Sequence, residues 1–350
     1  MTYQCLSNTI QSANQGDIIL DGVIANLFIS GDWGTSRCRL RLVKTDSGKI
    51  IDGIESDQGA QVIAARANSG EERAGLFNAE LTEMIRNLQK SANKSLAGIP
   101  VVLSGMVGST IGWRTVPYAD LPIGLDGGGL RVEELEPVLL ADSSIPNPVL
   151  LISGLATIND ILRGEESEVI GVMQEADYTD FHKQAILILP GTHSKHVTVI
   201  NDEIVDFQSH MTGEMLAVLS RHSVLRHSLP ETPGDIIPDA LRAGVEASQS
   251  GGLTSTLFSI RARQVLYDTA PDGNWSFLVG VLLGTELGGL KQLSDDYLIL
   301  LCAGDRHRLS YSLALEYLGL ADKVTTVASE VMRTAVVNCH RVVAEKFVKG

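Results

Sequence analysis

The chain has 350 residues and a formal net charge of −14 at pH 7, and 44% of its residues are hydrophobic while 20% are charged. This length allows two domains with separate cores, and the composition is that of a Gly-rich soluble α/β protein rather than a disordered or fibrous one. The acidic balance argues against nucleic acid and membrane surfaces as partners, because both attract basic faces. A small anionic substrate stays open, since a local group of arginines can outweigh the overall charge.

Cysteine usage and the character of the N-terminus favour the cytoplasm. The four cysteines are scattered without a CxxC or a metal-ligand spacing, which is typical of a reduced compartment. No apolar run reaches the roughly 18–20 residues that cross a membrane. Residues 1–26 lack the basic and apolar regions of a signal peptide, so we interpret them as a polar N-terminal extension without an assigned role.

Residues 28–43 (FISGDWGTSRCRLRLV) form the first informative stretch. An apolar strand, a polar turn and a strand that alternates apolar side chains with arginines predict a β-hairpin. Gly34, followed by Thr35 and Ser36, lets backbone N–H groups face an anion. Asp32 at the strand end can hold a hydrated Mg²⁺, which prefers one or two carboxylates together with phosphate oxygens. The turn therefore suits a nucleotide phosphate; the alternative is an ordinary β-turn.

The next elements extend a predicted sheet. Residues 48–54 predict a third strand, and the leucine and isoleucine spacing in residues 71–96 predicts an amphipathic helix that covers the sheet. The short apolar run at 99–104 is typical of a buried parallel strand.

A Gly-rich loop follows this strand, where ligands of parallel α/β sheets gather. It contains Gly105 and Met106 and continues to Trp113, Arg114 and Tyr118. We interpret these residues as a candidate pocket for a polyol or an acid. The alternative is a packed crossing of loop and helix in which Trp113 belongs to the core.

The middle of the chain contains a candidate general base. Residues 124–148 have little periodicity and predict a surface loop, and residues 149–153 predict another strand. The following RGEESEVIG segment predicts a turn that enters a helix. Glu165 and Glu166 in it either cap the helix, which the helix dipole favours, or supply a base that accepts a hydroxyl proton.

Residues 185–200 (AILILPGTHSKHVTVI) repeat the pattern of the first hairpin, which suggests an internal duplication. Two phosphate-facing turns, one in each half, can grip a nucleotide from both sides. His193 and His196 lack a third ligand at a recognisable spacing, so we interpret them as hydrogen-bonding or solvated side chains rather than a metal site.

The last third of the chain contains a third junction compatible with a nucleotide. The apolar strand at 297–301 runs into Ala303 and Gly304 and then into a helix, and small residues at such a junction suit an adenosine. The MTGE motif at 211–214 predicts the start of a helix that runs through Leu219. The other predicted elements are helices at 241–266, 275–290, 309–318 and 331–348 and a strand at 324–327.

The motifs together resemble one family. DWGTSRCRLRL, SGMVGSTIGW with VPY, LRGEESEVIGV, LPGTHSKHV, MTGE and the later CAG turn are similar to the 2-dehydro-3-deoxygalactonokinase family, within the actin-like ATPase and sugar-kinase superfamily. The motifs extend from Asp32 to about Leu320, and their combination is far more specific than any single one. The resemblance implies a kinase that uses ATP and Mg²⁺ to phosphorylate 2-dehydro-3-deoxy-D-galactonate at its 6-hydroxyl, in galactonate catabolism.

The resemblance also implies the architecture. We expect two actin-like (ribonuclease H-like) α/β domains, each a mixed sheet flanked by helices, with the active site in the cleft between them. The boundaries that we predict are 27–150 for the N-terminal domain and 151–350 for the C-terminal one. The oligomeric state stays open, with a homodimer among the options.

Roles carry over by position. The resemblance implies that Asp32 holds Mg²⁺ through water, that Arg39 lies near the transferred phosphate, and that Glu165 is the base, with Glu166 and Asp160 as alternatives because related kinases have an Asp there. The predicted phosphate contacts are Gly34, Thr35, Ser36, Gly191, Thr192 and Ser194, and the predicted adenosine contacts are Ala303 and Gly304.

The substrate contacts are less determined. A bound carboxylate needs a cation, preferably the fork of an arginine, and Arg114 and Arg163 lie beside the family-like motifs. Trp113 and Tyr118 are candidates for the walls of the sugar site, with Gly105 and Met106 beside them. The competing hypotheses are a kinase for another keto-deoxy sugar acid and a non-catalytic actin-like sensor. A dinucleotide-dependent oxidoreductase is disfavoured, because no G-x-G-x-x-G follows a first strand.

Overall fold

A computed structural model describes residues 19–20, 23–24 and 26–349, with side chains described for residues 26–347. The rest of the predicted extension, residues 1–18, 21–22 and 25, lies outside the described residues. None of the helices in the described ranges combines the length and the hydropathy that a membrane crossing requires.

The strands of the described part lie in consecutive groups that helices separate along the chain. In chain order they are β1 (Ile19–Leu20), β2 (Val23–Ile24), β3 (Leu27–Trp33), β4 (Cys38–Lys44), β5 (Ile50–Ser56), β6 (Val101–Gly105), β7 (Ala119–Asp120), β8 (Ile123–Gly124), β9 (Val132–Val138), β10 (Asn147–Ile152), β11 (Leu155–Ala156), β12 (Ile161–Leu162), β13 (Gln184–Leu189), β14 (Ser194–Ile200), β15 (Glu203–His210), β16 (Leu298–Leu301) and β17 (Val324–Thr326).

The α-helices of the same part are α1 (Ala60–Ala64), α2 (Gly70–Ala92), α3 (Glu165–Val172), α4 (Thr212–His222), α5 (Pro238–Ser250), α6 (Leu253–Tyr267), α7 (Pro271–Leu287), α8 (Asp305–Tyr317) and α9 (Ser329–Lys349). Short 3₁₀ helices lie at Met106–Gly108, Ala176–His182, Val224–Ser228, Gly288–Gln292 and Ala321–Lys323.

The chain divides into two compact units. Unit 1 comprises the described residues up to Ala119, Leu130–Leu155 and the described residues from Val336 onward, and unit 2 comprises Asp120–Gly129 and Ala156–Ala335. This division differs from the predicted domains, because residues 151–155 and most of the closing helix α9 are counted with unit 1 and residues 120–129 with unit 2. The two units are described separately below.

Unit 1 is built on a six-stranded mixed sheet in the order β5-β4-β3-β6-β10-β9. Strand β4 is antiparallel to β3 and to β5, whereas β6 is parallel to β3 and β10 is parallel to β6. Ser69 caps the N-terminus of the amphipathic helix α2, because its side chain accepts a hydrogen bond from the N–H of Glu72. Its apolar face packs on the sheet, with Phe77 and Leu81 among the buried core residues.

Unit 2 contains a second six-stranded sheet in the order β17-β16-β13-β14-β15-β8. Its first five strands repeat the arrangement of unit 1: β14 is antiparallel to β13 and to β15, β16 is parallel to β13, and β17 is parallel to β16. The apolar helix α7 is buried and meets α5 closely, because a Cβ at Gly280 would lie 2.1 Å from the carbonyl oxygen of Leu241. The repeated topology confirms the predicted class of two actin-like α/β units and agrees with an internal duplication.

Two local predictions were wrong, and one strand was missed. The helix predicted at 241–266 is two helices, α5 and α6, which are separated at Gly251 and Gly252, where flexible backbone interrupts the helical pattern. The predicted loop at 124–148 contains strand β9, whose charged residues and Pro137 hide the alternation of a strand. Strand β15 was not predicted at all.

Candidate active site

The turn between β3 and β4 is closed and supported by the chain that follows the hairpin. The N–H of Gly34 donates to the carbonyl oxygen of Arg37 at 2.8 Å, which tightens the turn. The carbonyl oxygens of Gly34, Thr35 and Ser36 accept hydrogen bonds from the N–H groups of residues 60, 61 and 59, respectively. The carbonyl side of the turn is therefore fully committed to the start of α1.

The amide side of the same turn is available. In the part of the chain that the structure describes, the N–H groups of Thr35 and Ser36 make no hydrogen bond, and both residues are exposed. The close support from α1 requires a glycine, because a Cβ at Gly59 would lie 2.3 Å from the carbonyl carbon of Ser36. Free, exposed N–H groups on a rigid turn are suited to an anion such as a phosphate.

Asp32 lies beside this turn and faces an arginine. It is directly opposite Arg39 in the β3–β4 register, and the Nη1 of Arg39 lies 3.4 Å from its Oδ2. The Nε of Arg39 also contacts Glu55 Oε1 at 3.2 Å. Desolvation raises the pKa of Asp32 above its usual value, although the charges of Arg39 and Arg41 act in the opposite direction.

This donor set fits a hydrated Mg²⁺ rather than a caged metal. No group of three or more His, Cys, Asp or Glu side chains that could hold a metal ion exists among the described residues. Mg²⁺ does not need such a group, because it keeps several waters and takes one or two carboxylates with phosphate oxygens. The side chain of Asp32 is 36% exposed, so that a hydrated ion can reach its carboxylate.

A buried histidine pins the strands that carry Asp32 and the Gly-rich loop. The Nδ1 of His340 lies 2.9 Å from the Oγ of Ser30 on β3, and its Nε2 lies 2.9 Å from the Oγ of Ser104 on β6. Burial lowers the pKa of His340 to about 3, which keeps the ring neutral. Next to Ser104, Gly105 has φ +91°, and a Cβ there would lie 2.8 Å from the carbonyl oxygen of Trp33.

The residues predicted to bind substrate in unit 1 are largely engaged in packing. Trp113 is 5% exposed and stacks on Phe77 with a ring distance of 6.4 Å, which favours the core alternative over a wall of a sugar site. Arg114 forms an ion pair with Glu136 of β9. The remaining predicted substrate residues of unit 1 are Met106 and Tyr118, which are half-buried, and Gly105, which is buried. Arg163, predicted for the same role, lies in unit 2 and is half-buried.

Glu165 is the first residue of α3 in unit 2, and both of its carboxylate oxygens have partners. The backbone N–H of Arg163 donates to Oε2 at 3.0 Å, and the Nζ of Lys195 lies 3.4 Å from Oε1. The side chain of Glu165 is 27% exposed, whereas that of Lys195 is 6% exposed. The carboxylate is thus held in place and still accessible to a small molecule.

Asp160, the first alternative base, is committed to structure. Its Oδ2 accepts a hydrogen bond from the N–H of Ser209 at 2.5 Å, and its Oδ1 accepts from the hydroxyl of Ser209 at 2.8 Å. The N–H of Ile161 also donates to Oδ1. These bonds attach the segment before α3 to strand β15.

Glu166, the second alternative, is 1% exposed. The N–H of Gly164 donates to its Oε2 at 2.6 Å, and the hydroxyl of Ser167 donates to its Oε1 at 3.1 Å. Burial, followed by the charge of Glu165, raises the pKa of Glu166 to about 7. The burial of Glu166 and the bonds of Asp160 favour Glu165 as the group that meets a substrate.

The second predicted phosphate turn is supported by α4. Gly191 is half-buried and Thr192 is exposed. The N–H of Glu214 donates to the carbonyl oxygen of Thr192 at 2.9 Å. A Cβ at Gly213 would lie 2.4 Å from the carbonyl oxygen of Gly191, which explains the glycine of the MTGE motif.

Ser194 lies under this turn rather than on its surface. It is completely buried, and its Oγ donates to Glu286 Oε1 at 2.7 Å. The Nε2 of His196 and the hydroxyl of Tyr311 contact the same carboxylate at 3.1 Å. Burial alone would raise the pKa of Glu286, but hydrogen bonds, above all that with His196, lower it below its usual value.

The predicted adenosine junction is open on one side. Ala303 is buried between β16 and α8, whereas Gly304 is exposed, and a Cβ there would meet no atom within 4 Å. Arg308 of α8 donates to the carbonyl oxygens of Ala303 and Val327, which holds the junction against the chain after β17. The junction can therefore accept a flat group against its backbone.

Sequence reasoning missed three residues that organise these sites: Lys195, Glu286 and His340. Two of them left a signal. Glu286 is a single acidic residue in a helix predicted to be buried on most sides, and His340 follows the buried Val337 at helical spacing. Lys195 had no such signal, since a lysine in a strand is ordinarily exposed.

Comparison with known proteins identifies relatives over most of the chain. The family described as 2-keto-3-deoxy-galactonokinase matches residues 32–337. A 2-dehydro-3-deoxygalactonokinase from Escherichia coli (strain K12) is 30% identical over 309 residues, which cover 87% of this chain and 93% of the relative. A protein from Rhizobium meliloti (strain 1021), named as a probable 2-dehydro-3-deoxygalactonokinase, is 28% identical over 85% of this chain and 91% of its own.

A solved structure has the same fold. It is a protein from Sinorhizobium meliloti described as a candidate 2-dehydro-3-deoxygalactonokinase. The TM-score is 0.72 at 24% sequence identity, and the match covers 90% of this chain and 99% of that chain.

Proposed function

Because this chain belongs to the 2-keto-3-deoxy-galactonokinase family, we propose that it transfers the γ-phosphoryl group of ATP to the 6-hydroxyl of 2-dehydro-3-deoxy-D-galactonate. The products are ADP and 2-dehydro-3-deoxy-6-phosphogalactonate, an intermediate of galactonate catabolism. The family match from residue 32 to residue 337 carries the proposal, because it includes all the motifs that define the candidate site. As a member of this family the chain is a kinase, a phosphotransferase with an alcohol group as acceptor.

Unit 1 supplies the first set of phosphate contacts. The N–H groups of Thr35 and Ser36 donate to phosphate oxygens, and Gly34 allows their close approach. Arg39 places a positive charge beside the transferred group, which matters because phosphoryl transfer depends mainly on positioning and charge neutralisation. Asp32 would hold Mg²⁺ through water, and the ion would supply charge neutralisation on the phosphates.

Unit 2 supplies the second set of contacts and the base. Gly191 and Thr192 contact phosphate through their backbone, while Ala303 and Gly304 receive the adenosine. Ser194 acts indirectly, since its hydroxyl is buried on Glu286. Glu165 accepts a hydrogen bond from the 6-hydroxyl, orients its oxygen toward phosphorus and takes its proton as the bond to phosphorus forms.

The substrate carboxylate is assigned to Arg163. A bidentate guanidinium matches a carboxylate, and Arg163 immediately precedes the segment of Glu165. Arg114 is the second choice, because it would have to leave Glu136. The proposed location is the cytoplasm, because this compartment supplies ATP. Free thiols agree with this location, and the described cysteines Cys38, Cys302 and Cys339 are free.

The test is sugar-acid-dependent ADP release by the purified protein with Mg-ATP and 2-dehydro-3-deoxy-D-galactonate. Glu165→Gln and Asp32→Ala should each lower kcat at least about 100-fold, since a base and a metal contact are lost. Glu246→Gln and Asp46→Ala change exposed carboxylates of the same type and should leave kcat unchanged.

Three outcomes would change the assignment. Activity that survives in Glu165→Gln alone would move the base to Glu166 or Asp160. Turnover of another keto-deoxy sugar acid in a substrate panel, without turnover of the galactonate derivative, would change the substrate. ATP binding without turnover of any sugar acid would favour the sensor and refute the kinase.

A further inference from the structure

Lys195 occupies an unusual position for a lysine. It is the second residue of β14, directly after the predicted phosphate turn, and it is 5% exposed. Lysines are almost never fully buried unless they are paired, because a desolvated ammonium group needs a compensating partner. The groups that the Nζ of Lys195 contacts must therefore compensate for the burial of its charge.

The ammonium group connects two parts of the candidate site within unit 2. Its Nζ lies 3.4 Å from Oε1 of Glu165 and donates to the carbonyl oxygen of His193 at 3.2 Å. Glu165 is the proposed base, and His193 belongs to the phosphate turn. One side chain thus fixes the base carboxylate relative to the backbone that is proposed to contact phosphate.

The geometry restricts the carboxylate at both oxygens. Lys195 holds Oε1, and the N–H of Arg163 holds Oε2 at 3.0 Å. A carboxylate has about four lone-pair sites, so one acceptor position remains on each oxygen. A hydroxyl can therefore bind without displacing either partner, and the direction from which it binds is restricted.

We infer that Lys195 is a positioning residue for Glu165: it orients the base and ties it to the phosphate turn through His193. The inference rests on the proposed function, because it requires Glu165 to meet the acceptor hydroxyl. Such a tie matters in phosphoryl transfer, where a misplacement of about 1 Å can cost about 100-fold in rate.

The experiment compares Lys195→Met with Lys323→Met. Lys323 also pairs with a carboxylate of unit 2, Asp295, but that carboxylate is fully exposed. We expect Lys195→Met to lower kcat by about 10- to 100-fold with KM for ATP within about twofold of the unmodified protein. Lys323→Met should change neither. Lys195→Arg retains a cation and should recover part of kcat.

A double-mutant cycle identifies the route of the effect. If Lys195 acts through Glu165, adding Lys195→Met to Glu165→Gln will lower kcat no further than Glu165→Gln alone. Multiplicative losses in the double variant would overturn the inference, as would an unchanged kcat with a raised KM for ATP in Lys195→Met. If Glu165→Gln itself retains full kcat, the proposed base is wrong and the inference fails with it.

Folding is checked by circular dichroism and thermal unfolding of each variant. If Lys195→Met does not fold, Lys195→Gln, which keeps a donor for the carbonyl oxygen of His193, replaces it in the same cycle. The inference is supported if folded Lys195→Gln has a lower kcat than the unmodified protein and if the same substitution causes no further loss of kcat in the Glu165→Gln variant. An unchanged kcat in that variant overturns it.

Discussion

The Oγ of Ser194 donates a 2.7 Å hydrogen bond to the carboxylate of Glu286, although the two residues are 92 positions apart. This bond joins the strand after the second predicted phosphate turn to the middle of unit 2, and His196 and Tyr311 contact the same carboxylate. A motif serine that resembles a phosphate contact is thus a buried donor under the turn. Thr192 and His193 of the same turn are exposed.

Removal of this carboxylate should destabilise unit 2. In Glu286→Ala three buried donors lose their acceptor, and breaking a buried charged network by removing one partner costs about 3–5 kcal/mol. Glu286→Gln, which keeps one acceptor oxygen, should cost less. Urea unfolding followed by circular dichroism measures both. Glu246→Ala on the exposed face of α5 is the matched control, and an equal loss in that variant would contradict the prediction.

Glu166 should make the stability depend on pH. The pKa of Glu166 is about 7 in the folded protein and near 4.5 in the unfolded chain, so protonation of Glu166 favours the folded state. This contribution to stability is fully present below pH 4.5 and is lost as the pH rises through 7. Glu166→Gln removes the titration. It should be more stable than the unmodified protein at pH 8.5, by at most about 3 kcal/mol, and nearly equal at pH 4.5.

The measurement for Glu166 is the free energy of unfolding in urea at both pH values. Glu246→Gln again serves as the exposed control and should show no gain at pH 8.5. The measured quantity is the stability of Glu166→Gln minus that of the unmodified protein. A lower value of this difference at pH 8.5 than at pH 4.5 would contradict the burial argument.

His340 should make unit 1 sensitive to acid. Its pKa is about 3 in the folded protein and near 6.5 in the unfolded chain, so its contribution to stability is present above 6.5 and declines as the pH falls toward 3. The slope is at most about 1.4 kcal/mol per pH unit.

His340→Gln keeps a donor and an acceptor for Ser30 and Ser104 but has no titratable ring. The variant should be less stable at pH 7.5, by about 1–3 kcal/mol for imperfect hydrogen bonds, and its stability should fall less between pH 6.5 and pH 4. His222→Gln, at an exposed histidine of α4, is the control. Parallel pH profiles of His340→Gln and the unmodified protein would refute this account.

Gly59 should control nucleotide affinity without touching the nucleotide. A Cβ there would lie within 2.3–2.5 Å of the backbone of residues 35–37, so Gly59→Ala must displace the first predicted phosphate turn. If the turn binds phosphate, the Kd for Mg-ATP, measured by calorimetry, should rise about tenfold or more. Gly75→Ala in α2, where a Cβ meets no atom within 4 Å, should leave the Kd unchanged and stabilise the helix by about 0.5–1 kcal/mol. An unchanged Kd in Gly59→Ala would separate this turn from phosphate binding.

Much of the secondary structure follows from local patterns. Both hairpins were predicted because their strands combine apolar runs with a small polar turn, and that signal needs no distant partner. The pattern fails where local composition is ambiguous. In β9 the sequence VEELEPV conceals a strand, and in the predicted helix 241–266 two glycines end one helix before the next begins.

The sequence by itself predicted that Asp32, Gly34 and the Gly-Thr pair at 191–192 lie at turns and that Glu165 lies at the start of a helix. These positions depend on strand ends and helix starts, which short-range periodicity and capping define. The family resemblance added their proposed roles, because motifs retain spacing even where overall identity is low.

Only the tertiary structure decided the partners of these residues. Lys195 meets Glu165, Glu286 meets Ser194, and His340 bridges two strands of unit 1. Periodicity predicts that a side chain is buried on one face of its element. The residue that this side chain contacts depends on strand order and on helices that are distant in sequence. Buried polar groups need specific partners, so these long-range pairs hold the site in place, and the local sequence does not contain them.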